Sequence, residues 1–292
     1  MQNLSNISAR GAVRSGAFEF STLIEPSGHA DTPIALVIGS PDYYPKLFSP
    51  ALKQRLTLAH AEHAGFARAL APLQPDDYAL QRVLADIDLQ RAALGIERMI
   101  LIGHSGHGYM ALEYAKRWPE RVSHLVLANL GISHAPEQIA LAERRWAELV
   151  APERKARLET AMAELPARLA AEPERRFVHL CLALGARSWA DWRYDAAPLW
   201  QGVRTNMAAI DHLWGEAFRD IDIAAGLARL SMPVWLGLGA EDYLVPPPQG
   251  WDVLRPGFAD LTVRIFERAG HAPMLECPAE FDAALLDWLR IE

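Results

Sequence analysis

Short apolar runs alternate along the first half of this chain with segments whose apolar positions recur at helical spacing. Residues 17–24 and 34–38 read as strands, parted by a turn at Pro26-Ser27-Gly28, and 56–59 reads as another short one. Between Tyr78 and Leu94, the apolar Leu80, Val83, Leu84 and Ile87 fall at i, i+3, i+4 and i+7, with Gly95 where a helix would end. Residues 99–102 form a continuous apolar strand, fit for burial on both faces. A helix follows over 106–118, stopped by Pro119, and then a strand over 124–128. The first dozen residues are polar and are expected to be loose.

This alternation predicts an α/β fold, a mostly parallel twisted sheet covered by helices. It breaks near Ile132. From there to about Asp220 the pattern is helical, over 137–150, 152–171, 173–184 and a tryptophan-bearing piece at 188–214. Strand pattern resumes at 233–238 and 261–266, and a closing helix is expected over 278–289. The expected division is therefore a core α/β domain at 1–131, a helical insertion at 132–220, and the rest of the core at 221–292.

Composition narrows the picture. A net charge of −7 without a basic block argues against a nucleic-acid partner. No apolar run approaches the roughly 18 residues of a membrane span, and the N-terminus does not read as a signal peptide. Cys181 and Cys277 are too few for a disulfide framework, so a cytoplasmic setting is the simplest expectation, with both thiols buried and inert. No metal and no cofactor are expected. His104 and His107 could meet His60 or His63, but no ligand spacing with a carboxylate accompanies them.

The chemistry is carried by Gly103-His104-Ser105-Gly106-His107-Gly108, placed between a buried strand and a helix. A serine on such a turn stands clear of the backbone, and the amide of Gly106 points from a helix N-terminus toward a reacting carbonyl. A serine needs a base and an acid to orient that base. Asp242 follows the 233–238 strand and His271 follows the 261–266 strand, so all three would meet at the carboxyl edge of the sheet. Glu241, beside Asp242, is expected to be solvated instead.

At these residues the chain resembles the α/β-hydrolase family, over nearly its whole length from about Ala17. The resemblance rests on the nucleophile elbow at Ser105, the Gly239-Ala-Glu-Asp-Tyr-Leu-Val-Pro246 loop and the Gly270-His-Ala-Pro-Met-Leu-Glu276 segment. It implies a Ser105–Asp242–His271 triad and a lid formed by the helical insertion. Val37-Ile-Gly-Ser-Pro-Asp-Tyr43 is similar to the family's oxyanion loop, which makes the Ser40 amide the second donor. With the segments 43–52 and 62–66, the chain is most similar to a prolyl aminopeptidase-like branch. It departs from the pattern at Ile38, Asp42, Ala64 and His107, the last standing where the elbow usually has a small residue.

A serine hydrolase for a small or medium, partly apolar ester or amide is the leading expectation. His107, Trp146, Trp189, Trp192 and Trp214 are candidate pocket residues, although tryptophans can equally staple helices together. Arg187, Arg193 and Arg204 could meet a substrate carboxylate, and Glu143 or Glu148 a substrate amine. The rival readings are a glycine-rich phosphate loop, a cofactor-free oxygenase on the same fold, and a ligand-binding member without turnover.

Overall fold

The computed structural model describes residues 8–29, 32–133 and 136–291. Among these residues nine strands form one sheet: β1 (Ala9–Ser15), β2 (Phe18–Glu25), β3 (Ile34–Ile38), β4 (Thr57–Ala61), β5 (Arg68–Ala69), β6 (Met99–His104), β7 (Val122–Ala128), β8 (Val234–Gly239) and β9 (Leu261–Phe266). Their order is β1-β2-β4-β3-β6-β7-β8-β9, with β5 on β2. The pairs from β4 to β9 are parallel, and β1–β2 and β2–β4 are antiparallel.

The central strands carry continuous apolar runs, at 34–38, 99–102, 125–128 and 234–236, because helices cover both faces of the sheet. On β3, Leu36 and Ile38 enter one core while Ala35 and Val37 enter the other. The helix Gly106–Arg117 is buried everywhere except at Glu113 and Arg117. The last helix, Pro278–Leu289, brings Phe281 edge-on to Trp235, ring centroids 5.4 Å apart.

Two expectations are corrected. Residues 9–15 are not loose but form β1, paired to β2 along its whole length. Its side chains are mostly exposed, so backbone hydrogen bonding makes the strand and no apolar alternation announces it. Ser15 adds a tie, donating to Asp86 at 2.7 Å. The rest of the expected loose segment, residues 1–7, lies outside the described residues. The tryptophan-bearing piece at 188–214 is not one helix either. Turns dominate it, fixed where Asp191 and Asp195 accept from the backbone amides of Arg193 and Ala197, and Gly202 has φ +83°. True helices between β7 and β8 include Pro136–Leu149, Pro152–Ala171 and Arg176–Ala183.

The topology places the carboxyl ends of six parallel strands, β4, β3, β6, β7, β8 and β9, side by side. The loops after β3, β6, β7 and β8 each keep one more ladder bond: Gly39 to Ala61, Ser105 to Ala128, Asn129 to Gly237 and Ala240 to Phe266, all N–H to O at 2.9 Å. Side chains just beyond these bonds therefore start from a common edge. Trp235 anchors β8 beneath that edge at 1% exposure, so Trp235→Ala should cost about 3–5 kcal/mol. Denaturant titration checks it, as a lower midpoint.

Candidate active site

β6 ends in a residue held in strained backbone. Ser105 has φ +55° and ψ −132°, a conformation that L side chains adopt only where the surroundings impose it. The helix Gly106–Arg117 starts at the next residue. His107 is accommodated at the elbow because glycines take up the crowding elsewhere: a Cβ on Gly103 would lie 2.6 Å from the His107 carbonyl oxygen, and one on Gly108 3.1 Å from Leu130.

Asp242 is 2% exposed and serves three donors. His271 Nδ1 lies 2.7 Å from its Oδ2, Asn129 Nδ2 donates to the same oxygen at 2.7 Å, and the Leu244 amide donates to Oδ1 at 2.9 Å. A carboxylate so bonded is fixed in place and orients the imidazole through Nδ1, leaving Nε2 free for other chemistry. Asn129, at the end of β7 with φ +45°, also donates to the Gly270 carbonyl at 2.9 Å, so its amide must face this way round. Burial lowers the pKa of His271, but the charge and hydrogen bond of Asp242 outweigh it and leave the pKa raised above 6.5.

The histidine loop is held by Glu276, whose carboxylate accepts from the amides of Gly270, Ala272 and Ala190 at 2.7–3.0 Å. The segment between β7 and β8 closes over both loops. The His271 amide donates to the Ser188 carbonyl, and a Cβ on Gly270 would sit 2.1 Å from that oxygen. Arg154, 5% exposed, donates to the carbonyls of Ala186 and Trp189 and pairs with Glu241 at 3.1 Å. Glu241 is thus bound to an arginine and turned from the imidazole, with its side chain 42% exposed.

Ser105 and His271 line one cavity of about 330 Å³. The Ser105 hydroxyl makes no hydrogen bond among the described residues, and like His271 Nε2 it keeps access to open space. Gly106, His107, Trp189 and Trp214 are in the cavity wall. Ser40 is buried but outside the wall, where Tyr43 and Tyr44, whose amides donate to the Ser40 carbonyl, stand instead. Trp146 and Trp192 are also outside it, because Trp146 packs edge-on to Tyr243 at 5.7 Å and Trp192 carries the Arg193 guanidinium at 3.9 Å. Arg204 is exposed and away from the wall.

Several wall residues escaped sequence reasoning. Tyr43 is one of them, meeting Trp200, a tryptophan of the insertion already weighed for the pocket, at 4.5 Å, and Phe66 and Phe177 extend this aromatic side. Phe177, Leu180 and Leu184 fall at helical spacing, a signal that core packing gives equally well. Cys181 also reaches the wall and is half-buried; burial pushes its thiol up to about 12, which fits inertness. Glu143 and Arg187 sit at the wall as a bidentate pair, with N–O distances of 2.6 and 2.7 Å.

A raised His271 pKa means that its protonated form is favoured in the folded state. The stability it contributes is present at low pH and is lost as pH rises through the folded pKa. Chemistry that needs the neutral imidazole runs the other way, so the acid limb of a kcat/KM profile should lie above pH 6.5. In Asp242→Asn that limb should move to lower pH, with kcat down about 10⁴-fold. A pH–rate profile of both proteins measures this.

A family model for the alpha/beta hydrolase fold matches residues 37–278. The AB hydrolase superfamily protein YclE of Bacillus subtilis (strain 168) is 42% identical over 279 residues, 96% of this chain and 98% of that protein. A proline iminopeptidase of Neisseria meningitidis serogroup B is 26% identical over 71% of this chain and 69% of its own. Among solved structures, the proline iminopeptidase of Mycobacterium smegmatis superposes with a TM-score of 0.69 at 18% identity, covering 97% of this chain and 98% of its own. Among the described residues, no helix is long and apolar enough to cross a membrane.

Proposed function

This chain belongs to the α/β-hydrolase fold family, and on that premise we propose that it is a serine hydrolase acting through an acyl-enzyme. The observation that carries the reading is the 2.7 Å bond from His271 to Asp242, with the same imidazole sharing a cavity with the serine of a strained elbow. His271 Nε2 takes the proton of Ser105 as Oγ adds to an ester or amide carbonyl. The bond to the leaving group breaks as that group receives the proton. Water then attacks the acyl-enzyme with His271 again as base, releasing the acid and restoring Ser105. Hydroxyl-to-imidazole bonds commonly tighten only once substrate is bound, and both groups have open space to do so.

The oxyanion falls to the amides of Gly106 and Ser40, neither of which has an acceptor among the described residues. Gly106 faces the cavity, so it carries the larger share. The helices between β7 and β8 act as a lid, bonded to the acid loop by Arg154 and to the histidine loop by Ser188.

The cavity favours an uncharged, partly apolar acyl group. Its wall offers aromatic rings together with the aliphatic Ile139, Leu180 and Leu244. Removal of an N-terminal residue, the alternative suggested by the proline iminopeptidase relatives, needs a carboxylate to hold the substrate amine. Glu143 is the one carboxylate in the wall among the described residues, and Arg187 occupies both its oxygens. Esters or acyl amides fit better.

Two experiments test this. A fluorophosphonate should label Ser105, shown by mass spectrometry, and Ser105→Ala should stay unlabelled; a folded wild type that resists the probe defeats the reading. A panel of aryl acyl esters against prolyl and alanyl arylamides should show turnover of the esters only. Glu143→Gln should leave ester kcat/KM within about threefold of wild type, since a half-exposed ion pair is worth about 1 kcal/mol or less.

A further inference from the structure

Through the two histidines of the elbow runs a line of buried rings that the hydrolytic scheme does not use. His63, His104, His107 and Tyr44 are each under a tenth exposed, and all six imidazole nitrogens have partners. The protons in this line can be placed from both ends. The Gly65 amide donates to His63 Nδ1 at 3.1 Å, so that nitrogen is a lone pair and the ring proton is on Nε2. His63 Nε2 lies 2.9 Å from His107 Nε2, a contact with room for one proton, which His63 supplies. His107 therefore carries its own proton on Nδ1, donating to the Tyr44 hydroxyl at 2.8 Å. Having accepted, the hydroxyl donates onward to His104 Nδ1 at 3.2 Å.

The line ends where His104 Nε2 meets the main-chain carbonyl oxygen of His271 at 2.6 Å. A carbonyl only accepts, so His104 must carry its proton on Nε2, in agreement with the placement from the other end. A second proton on His63 or His107 would set two N–H groups face to face. Burial acts in the same sense, pulling His63 and His104 down to about 3 and His107 well below its ordinary value. The position of Tyr44 depends on Gly39, with φ +137°, since a Cβ there would lie 2.1 Å from its ring.

We infer that Gly65, His63, His107, Tyr44 and His104 form a one-way hydrogen-bond relay that holds the His271 main chain and so sets the reach of its imidazole toward Ser105. The members are positioning residues. Asp242 fixes the ring's rotation, Ser188 and His104 fix the peptide groups on either side of its Cα, and among the described residues only the His104 bond links that loop to the elbow. A loop displaced by about 1 Å can cost ~10²-fold in rate, so a donor on one carbonyl matters. The catalytic consequence rests on the serine-hydrolase reading, whereas the proton placement does not.

Two readouts keep those apart. In protein labelled with ¹⁵N-histidine, nitrogen shifts should report His63 and His104 as Nε2–H tautomers and His107 as Nδ1–H, unchanged from pH 8 to pH 5. Any of the three titrating in that range, or in the other tautomer, overturns the relay. The downfield proton of the His271–Asp242 bond should shift or broaden in Tyr44→Phe and His104→Leu, and return in His104→Gln, whose amide can still donate to the His271 carbonyl. In kinetics, Tyr44→Phe should lose about tenfold and His104→Leu about 10²-fold in kcat, with KM within about twofold, and His104→Gln should recover most of the loss. A rise in KM at constant kcat would make these residues substrate contacts and overturn the positioning role. So would His104→Gln falling as far as His104→Leu. A wild type that neither labels nor turns over defeats the hydrolase reading instead, while the resonances still decide the relay.

Discussion

The bond between the Asp242 carboxylate and His271 Nδ1 is the interaction on which the site depends. Its strength comes from burial without isolation. Asp242 is removed from water, yet three donors satisfy its two oxygens, so the charge stays where it can orient and polarise the imidazole. Taking a carboxylate out of solvent without those partners would cost several kcal/mol, and the fold avoids that cost through Asn129 and the Leu244 amide.

Parallel topology makes this meeting possible. Residues far apart in sequence arrive at one edge because β6, β7, β8 and β9 pair in parallel register, and the loops after β6, β7 and β8 each begin with a continuing ladder bond. Local devices then aim the side chains. Positive φ at Ser105 and Asn129 turns each one out of its strand direction, and Glu276 gathers three amides so that the histidine loop keeps its shape. These are strained or strongly polar features, and the apolar cores on the two faces of the sheet sustain them.

The helical segment between β7 and β8 serves two purposes at once. Arg154 and Ser188 bond it to the acid and histidine loops, while Trp189, Trp200, Trp214 and Phe177 face the cavity. The same contacts that stabilise the segment therefore shape the space above Ser105. The tryptophans divide accordingly: Trp189, Trp200 and Trp214 line the cavity, while Trp146 and Trp192 are taken up by arginine and tyrosine partners.

The sequence by itself determined the α/β class, most strand and helix positions, and Ser105, Asp242 and His271 as residues bound for one edge. Those signals are local: buried parallel strands are continuously apolar, and glycines mark the turns that follow them. It could not reveal β1, whose pairing uses backbone groups common to every residue, nor which tryptophans face the cavity, since core and pocket call for the same side chains. The histidine–tyrosine line was equally hidden. His104 and His107 were visible as a group with His60 or His63, but whether such rings bind a cation, titrate or bond to one another depends on distances of about 3 Å and on which backbone groups cap the two ends. Only packing in three dimensions sets those distances, because each link joins segments brought together by the sheet and not by the order of the chain.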